Sequence, residues 1–194
     1  MPAFSQSLEG ALHKALDFAN DRHQEYATLE HLLLALIDDR HAAAAMTGCK
    51  ADLEHLRHRV VDYIDNDLGS LVVAGSTEAQ PTTAFQRTIH RAVVQVQSSG
   101  RDAVGGDNVL IAMFAERESP AVSFLKEYGL TRFDVVQYVA HGIAKNADRP
   151  AELSVQPTEH LRYACPECGV VAWAAHDVRL ICGGCHRRMR TGDG

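Results

Sequence analysis

One pattern of apolar residues at helical spacing occurs twice in this chain, at an offset of about 77 positions. Leu8, Leu12, Ala15, Leu16 and Ala19 form one stripe, and after a turn around Gln24 to Ala27, Thr28 can cap a second helix carrying Leu29, Leu32, Leu33, Leu36 and Ile37. A short alanine-rich helix runs through Met46 and is stopped by Gly48. Asp52 can then cap a fourth helix with Leu53, Leu56, Val60 and Ile64 inward. Past a loop from about Asn66 to Thr83, rich in turn-forming residues, the same order recurs. Phe85, Ile89, Ala92, Val93 and Val96 repeat the first stripe, and Asp107 can cap the segment Val109–Phe114 that mirrors Leu32–Ile37. Ser119 and Pro120 open the next helix, Gly129 stops it, and Thr131 can cap a last one with Phe133, Val136, Ala140 and Ile143 inward. The offset pairs Ala15 with Ala92 and Ala35 with Ala112. No strand alternation longer than a few residues interrupts this pattern. Each amphipathic helix must bury a face, so the expected fold over 1–145 is all-α, a pseudo-twofold tandem repeat of two four-helix units spanning about 5–66 and 83–145.

The remainder of the chain differs in chemistry. The net charge is −6 and the pI about 6.0, a balance that argues against a general nucleic-acid binder, whose affinity rests on accumulated Lys and Arg. From His160 to Gly194, however, Arg162, Arg179, Arg187, Arg188 and Arg190 outnumber Glu167, Asp177 and Asp193, for a net +2 against −8 in the rest. Apolar runs such as Leu32–Ile37 fall far short of the roughly 20 residues of a membrane helix. Met1–Gly10 carries neither the basic stretch nor the apolar run of a secretion signal. The expected compartment is the cytoplasm, with no membrane partner. Cys49 stands alone, whereas Cys165, Cys168, Cys182 and Cys185 cluster near the end, and in a reducing compartment clustered thiols read as metal ligands before disulfides.

Their spacing is that of two turns, Cys165-Pro-Glu-Cys168-Gly and Cys182-Gly-Gly-Cys185, with thirteen residues between Cys168 and Cys182. Each Cys-x-x-Cys turn places two thiolates on one ion, and four sulfurs complete a tetrahedron with no position open for water. Residues 164–194 therefore read as a zinc ribbon with a basic tail, holding one structural Zn2+ per chain. An iron centre or a redox dithiol are the alternatives, and His186 could replace Cys185. Val170, Val171 and Trp173, with Val178, Leu180 and Ile181, are expected to form a hairpin that joins the two knuckles. A segment of about thirty residues has too little core to fold alone, so the metal is expected to supply its stability. Residues 146–163, with Pro150 and Pro157, read as a linker.

The strings Tyr26-Ala-Thr-Leu-Glu-His-Leu-Leu-Leu-Ala-Leu36, Phe85-Gln-Arg-Thr-Ile-His-Arg-Ala-Val93, Gln95-Val-Gln-Ser-Ser-Gly-Arg101 and Phe133-Asp-Val-Val-Gln-Tyr-Val-Ala-His-Gly-Ile143 closely resemble the N-terminal domain of the Clp AAA+ unfoldases, particularly the ClpA type. The resemblance covers nearly all of residues 5–145, and the double repeat is the one that family shows. It implies a docking module that receives adaptors, including the small ClpS adaptor, and unfoldase substrates. It also implies an adaptor face of two acidic residues near the start of the second helix and a Thr and an Arg at the start of the fifth. Those fall on Glu25, Glu30, Thr82 and Arg87, expected on one exposed surface near the repeat junction. No unfoldase motor is expected, because no Gly-x-x-x-x-Gly-Lys-Ser/Thr loop occurs in these 194 residues and fewer than fifty follow the domain. The expectation is a stand-alone, non-catalytic module that delivers cargo or competes for an adaptor, and so modulates Clp-dependent proteolysis.

Other constellations carry less. His23-Gln-Glu25 ahead of a Cys-x-x-Cys pair departs from the zinc deaminase pattern, since Pro166 follows the first cysteine and the second pair would go unused. Cys49 near His55 and His58 reads as a small buried hydrophobe, and Gly100–Gly106 as a turn that lacks the Lys of a phosphate cradle. The alternative function is a zinc-ribbon nucleic-acid binder using Arg179, Arg187, Arg188, Arg190 and Trp173, with the helical domain serving assembly.

Overall fold

The computed structural model describes residues 2–73, 78–142, 161–169, 171–174 and 180–191. The chain clusters into two units, Met1–Lys145 and Asn146–Gly194.

In the first unit the helices are α1 (Gln6–Asn20), α2 (Leu29–Leu36), α3 (Arg40–Gly48), α4 (Leu53–Asn66), α5 (Thr83–Ser98), α6 (Gly106–Met113), α7 (Pro120–Glu127) and α8 (Arg132–His141), with a 3-10 turn at Gly69–Leu71. The eight-helix double repeat is therefore present. α2 is buried at every position and α6 at all but Asp107, as expected of short helices that are apolar all round. Leu32, Leu33, Leu36, Leu110 and Met113 have no solvent exposure, and Leu8, Met46, Leu56 and Leu125 close around them. Each such side chain contributes roughly 1.5–3 kcal/mol by leaving water.

Two short parallel strand pairs tie the halves together reciprocally. β1 (Ala3–Phe4) pairs with β4 (Ala103–Val104), and β2 (Tyr26–Ala27) with β3 (Gln80–Pro81). The Ser5 N–H donates to the Val104 carbonyl at 2.9 Å, and the Thr82 N–H to the Ala27 carbonyl at 3.0 Å. Adding 77 to Ser5 gives Thr82, and to Ala27 gives Val104, so the two bonds are symmetry mates. Both residues then cap a helix: Ser5 Oγ accepts from the Leu8 N–H and Thr82 Oγ1 from the Phe85 N–H.

Three sequence expectations need correction here. The N-cap of α6 is Gly105 and not Asp107, and the Gly105 N–H donates to Asn108 Oδ1 at 3.0 Å. On α8 Val136 packs against the core as expected, but the buried residue is Val135, while Phe133 is 54% exposed and Ala140 is exposed; the face is rotated so that Tyr138 and Val139 follow Val135 at i+3 and i+4. Leu12, Leu16 and Ile89 are half-buried, because α1 and α5 leave an apolar groove of about 390 Å³ between them, lined by these residues with Pro81, Phe85 and Val93. Ile143 lies outside the described residues.

The second unit is a three-stranded antiparallel sheet in the order β6-β5-β7, with β5 at Leu161–Ala164, β6 at Val171–Ala174 and β7 at Arg190–Thr191. The strand expected at Val171 and Trp173 is present as β6, and among the described residues its partner is β5. Each Cys-x-x-Cys turn is itself the tip of a reversal: Cys165–Gly169 connects β5 to β6, and Cys182–Cys185 lies inside the antiparallel bridge Ile181–Arg188. The first strand begins at Leu161, inside the span read as a linker. Val170, Val178, Arg179, residues 146–160 and the side chain of Trp173 lie outside the described residues.

Candidate docking cleft and metal centre

The four cysteine sulfurs of the second unit all lie within 4.8 Å of one another, with Cys168 and Cys182 Sγ 3.5 Å apart. The two knuckles share one backbone design. The Gly169 N–H donates to the Cys165 carbonyl at 3.0 Å and the His186 N–H to the Cys182 carbonyl at 2.8 Å. The residue after each second cysteine is left-handed, Gly169 at φ 72° and His186 at φ 53°; glycine takes that conformation freely and histidine at modest cost. Cys165 and Cys182 are buried with Tyr163 and Met189, Cys168 is exposed and Cys185 half-buried.

The donor set suits a cation. Backbone N–H groups of Cys185 and Gly184 hold the Cys182 thiol down to about 7. The adjacent Cys168, then burial and the neighbouring sulfur charges, push Cys185 up to about 12. Four thiolates cannot share this volume without positive charge between them, which a metal ion held by the four sulfurs would supply. His186 is not part of the cluster.

In the first unit, the residues expected to form a partner face are distributed unevenly. A cleft of about 560 Å³ opens between α2, α5 and the loop before α7, with Thr28, Leu29, Glu30, Thr82, Glu116 and Arg117 among its walls. Glu30 and Thr82 thus meet in one place. Arg87 joins them indirectly: its Nε donates to Glu116 Oε1 at 2.9 Å, its Nη2 to Glu116 Oε2, and Arg91 Nη1 donates to Oε1 at 2.9 Å. Those two guanidiniums, Arg87 foremost, hold Glu116 down to about 2. Glu25 is exposed at the head of β2, where its carbonyl accepts from the Gln80 N–H at 2.8 Å, and it is not among the cleft walls.

Glu30 corrects the expectation of an exposed set. It is only 5% exposed, and its Oε1 accepts from the Ser119 hydroxyl at 3.1 Å and the Ala121 N–H at 3.0 Å. A carboxylate satisfying the first turn of α7 is favoured by the helix dipole, so Glu30 builds the floor of the cleft while Arg87 stands at its edge. Sequence reasoning missed Glu116 and Arg91. Their signal was slight, an acidic loop residue opposite two arginines at i and i+4 on α5.

His31 settles a question of charge at the head of α2. Its Nδ1 accepts from the Thr28 N–H at 3.1 Å, and its Nε2 faces Gln24 Oε1 at 2.8 Å, a pairing that places the ring proton on Nε2. Burial first, and the charge of Arg22 second, lower its pKa to about 4. A neutral imidazole is compatible with a helix N-terminus, where an imidazolium would be repelled.

The sequence model of the Clp repeat (R) N-terminal domain matches residues 3–128. A ClpA homolog protein of Fuscovulum blasticum is 54% identical over 165 residues, 82% of this chain and 21% of that protein. The chaperone protein ClpB of Chlamydia muridarum (strain MoPn / Nigg) is 27% identical over 128 residues, 65% of this chain and 14% of that protein. The chain thus spans about a fifth or less of these relatives. Among solved structures, the Hsp104 N-terminal domain from Candida albicans superposes with a TM-score of 0.60 at 13% identity, covering 72% of this chain and 90% of that one. The ClpV N-domain in complex with a VipB peptide does so at 0.56 and 14%, covering 71% and 85%. Half the chain and more carries the family's sequence, and eight helices carry its fold: this protein belongs to the Clp repeat N-terminal domain family.

Proposed function

We propose that the chain is a non-catalytic protein-docking module of the cytoplasm that receives a ClpS-like adaptor or unfoldase substrates and modulates Clp-dependent proteolysis. The observation that carries this reading is the 560 Å³ cleft, where Glu30, Thr82 and, through Glu116, Arg87 converge from distant parts of the chain. Glu25 extends the face beyond the cleft as an exposed charge. The apolar groove between α1 and α5 offers a second, hydrophobic seat for a polypeptide, and the peptide complex of a ClpV N-domain supports peptide docking on this fold. The second unit is a zinc ribbon in which Cys165, Cys168, Cys182 and Cys185 hold one structural Zn2+. Residues 1–145 form the docking domain, 146–160 the linker and 161–194 the ribbon and its basic tail.

Calorimetric titration of the whole protein with the host's ClpS-like adaptor tests the first part. A saturable complex that is lost in Arg87→Glu is expected, and no binding at any accessible concentration overturns it. Salt-sensitive oligonucleotide binding in place of adaptor binding would favour instead a nucleic-acid role for the exposed Arg187, Arg188 and Arg190. Elemental analysis tests the second part, with close to one zinc per chain expected. Cys182→Ser should lose the ion and, with it, a binding energy of about 10–16 kcal/mol that folds the ribbon, while the helical circular dichroism stays. Reduced protein free of metal would overturn the zinc assignment.

A further inference from the structure

We infer that Glu116 is the positioning residue of the cleft, holding Arg87 and Arg91 as one fixed pair of guanidiniums whose remaining N–H donors receive a carboxylate of the docking protein. This rests on the docking function proposed above and names the chemistry of the group that enters.

The geometry carries the argument. One carboxylate accepts from both arginines, so the group of three keeps a net charge of +1. Glu116 is the inner member, with a side chain 12% exposed, whereas those of Arg87 and Arg91 are 51% and 39% exposed. Arg87 uses Nε and Nη2 on Glu116, so that Nη1 and its two hydrogens take no part in that pair, and Arg91 engages Glu116 through Nη1 alone. A planar guanidinium pair with such remaining donors matches a carboxylate in bidentate fashion. The rotamer freedom of both long side chains is already lost before the partner arrives, and such preorganisation raises affinity.

The chain is built to place Glu116 there. Between α2 and α3 the first half has a three-residue loop, Ile37–Asp39; between α6 and α7 the second half has six, Phe114–Ser119. The longer loop frees its acidic residue from capping duty, which Ser119 and Glu30 perform for α7, and lets it reach across to α5.

Two readouts on the full chain decide the matter. Glu116→Gln removes a negative charge beside the arginines, so plain electrostatics predicts tighter binding of an acidic group; positioning predicts weaker adaptor binding by about tenfold, the scale of one charged hydrogen bond lost. Arg91→Lys, which keeps the charge and loses the fork, should weaken binding in the same direction. Equal or tighter adaptor binding by Glu116→Gln overturns the inference, even where Arg87→Glu abolishes binding and the docking function itself stands. The second readout needs no partner: the Nε–H resonances of Arg87 and Arg91 should be ordered in the wild type and motionally averaged in Glu116→Gln. Unchanged resonances overturn the positioning role, whereas ordered resonances in a protein that binds no adaptor overturn the docking function and leave the positioning role in place.

Discussion

The two halves of the helical unit share one plan up to the end of their second helices and then part. Through that point an offset of 77 maps α2 (Leu29–Leu36) onto α6 (Gly106–Met113) without a gap, and each strand of one cross-pair onto a strand of the other. Beyond it, the left-handed Lys50 corresponds to Gly129 and the cap Asp52 to Thr131, an offset of 79. The difference lies in the loop that follows the second helix. In the first half Asp39 is buried, takes the Ser7 hydroxyl, and accepts from the His41 and Ala42 N–H groups at 2.9 and 2.8 Å to cap α3. In the second half Ala84 replaces Ser7 at the matching position, the loop is longer, and the Glu116 carboxylate turns to Arg87 and Arg91 on α5. One half is sealed by its own carboxylate and the other is open. A duplicated fold thus acquires its asymmetry from one loop, with both cores intact, and the proposed docking cleft lies beside that loop.

The largest way to break this comparison is to give the open half the residue of the sealed one. Gly106 corresponds to Leu29, and a Cβ on Gly106 would lie 2.1 Å from Asp39 Oδ1. Gly106→Leu should therefore expel Asp39 and lose the α3 cap, costing about 4 kcal/mol in urea denaturation from overpacking and the missing cap together. A loss under about 1 kcal/mol would mean that the seal is loose.

Acid should separate the halves next. His31 in α2 corresponds to Asn108 in α6, and both accept from the cap residue's N–H, yet only the histidine titrates. The folded state keeps it neutral down to about 4, against an ordinary value of 6.5. Its contribution is thus complete above pH 6.5 and is lost as pH falls toward 4, by up to about 3 kcal/mol. His31→Asn, which keeps the cap acceptor, should flatten this pH dependence in denaturation curves taken between pH 7 and 4. Glu116 acts lower, its share present above pH 4.5 and lost toward 2.

A smaller contrast sits one residue earlier. Glu30→Gln weakens the α7 cap and should cost about 1–2 kcal/mol, whereas Asp107→Asn at the matching site, half-exposed, should stay within about 0.5 kcal/mol. Equal costs in thermal melts would remove the distinction between the buried acid and its half-exposed counterpart. Smallest in stability is Glu25→Lys, within about 0.5 kcal/mol because the side chain is exposed, though adaptor affinity should fall through its effect on encounter.

The helices were legible because their signals are local: Thr28, Asp52, Ser119 and Thr131, read as caps, each precede a helix in the structure, and apolar spacing marked the buried faces. The reciprocal strand pairs were not, since two residues such as Ala3 and Phe4 carry no alternation to read. Glu30 was legible as a helix-start acid but not as a buried one, because its partners Ser119 and Ala121 lie some ninety positions away. The four cysteines announced a shared site, and Val171 and Trp173 announced the strand β6, while its partner among the described residues is β5 in place of the segment before Cys182: a hairpin closed by a knuckle and a hairpin joining the two have similar apolar residues.

The central claim is that docking belongs to the cleft beside the Glu116 loop, and not to the loop around Asp39. Amide shift mapping of the isotope-labelled full chain, titrated with the ClpS-like adaptor, addresses it directly. The account predicts perturbations at Thr82, Arg87 and Glu116 through Ser119, with Ser5 and Asp39 through Ala42 unmoved. Shifts centred on the Asp39 loop, or saturable binding that leaves the Glu116 loop untouched, would contradict it.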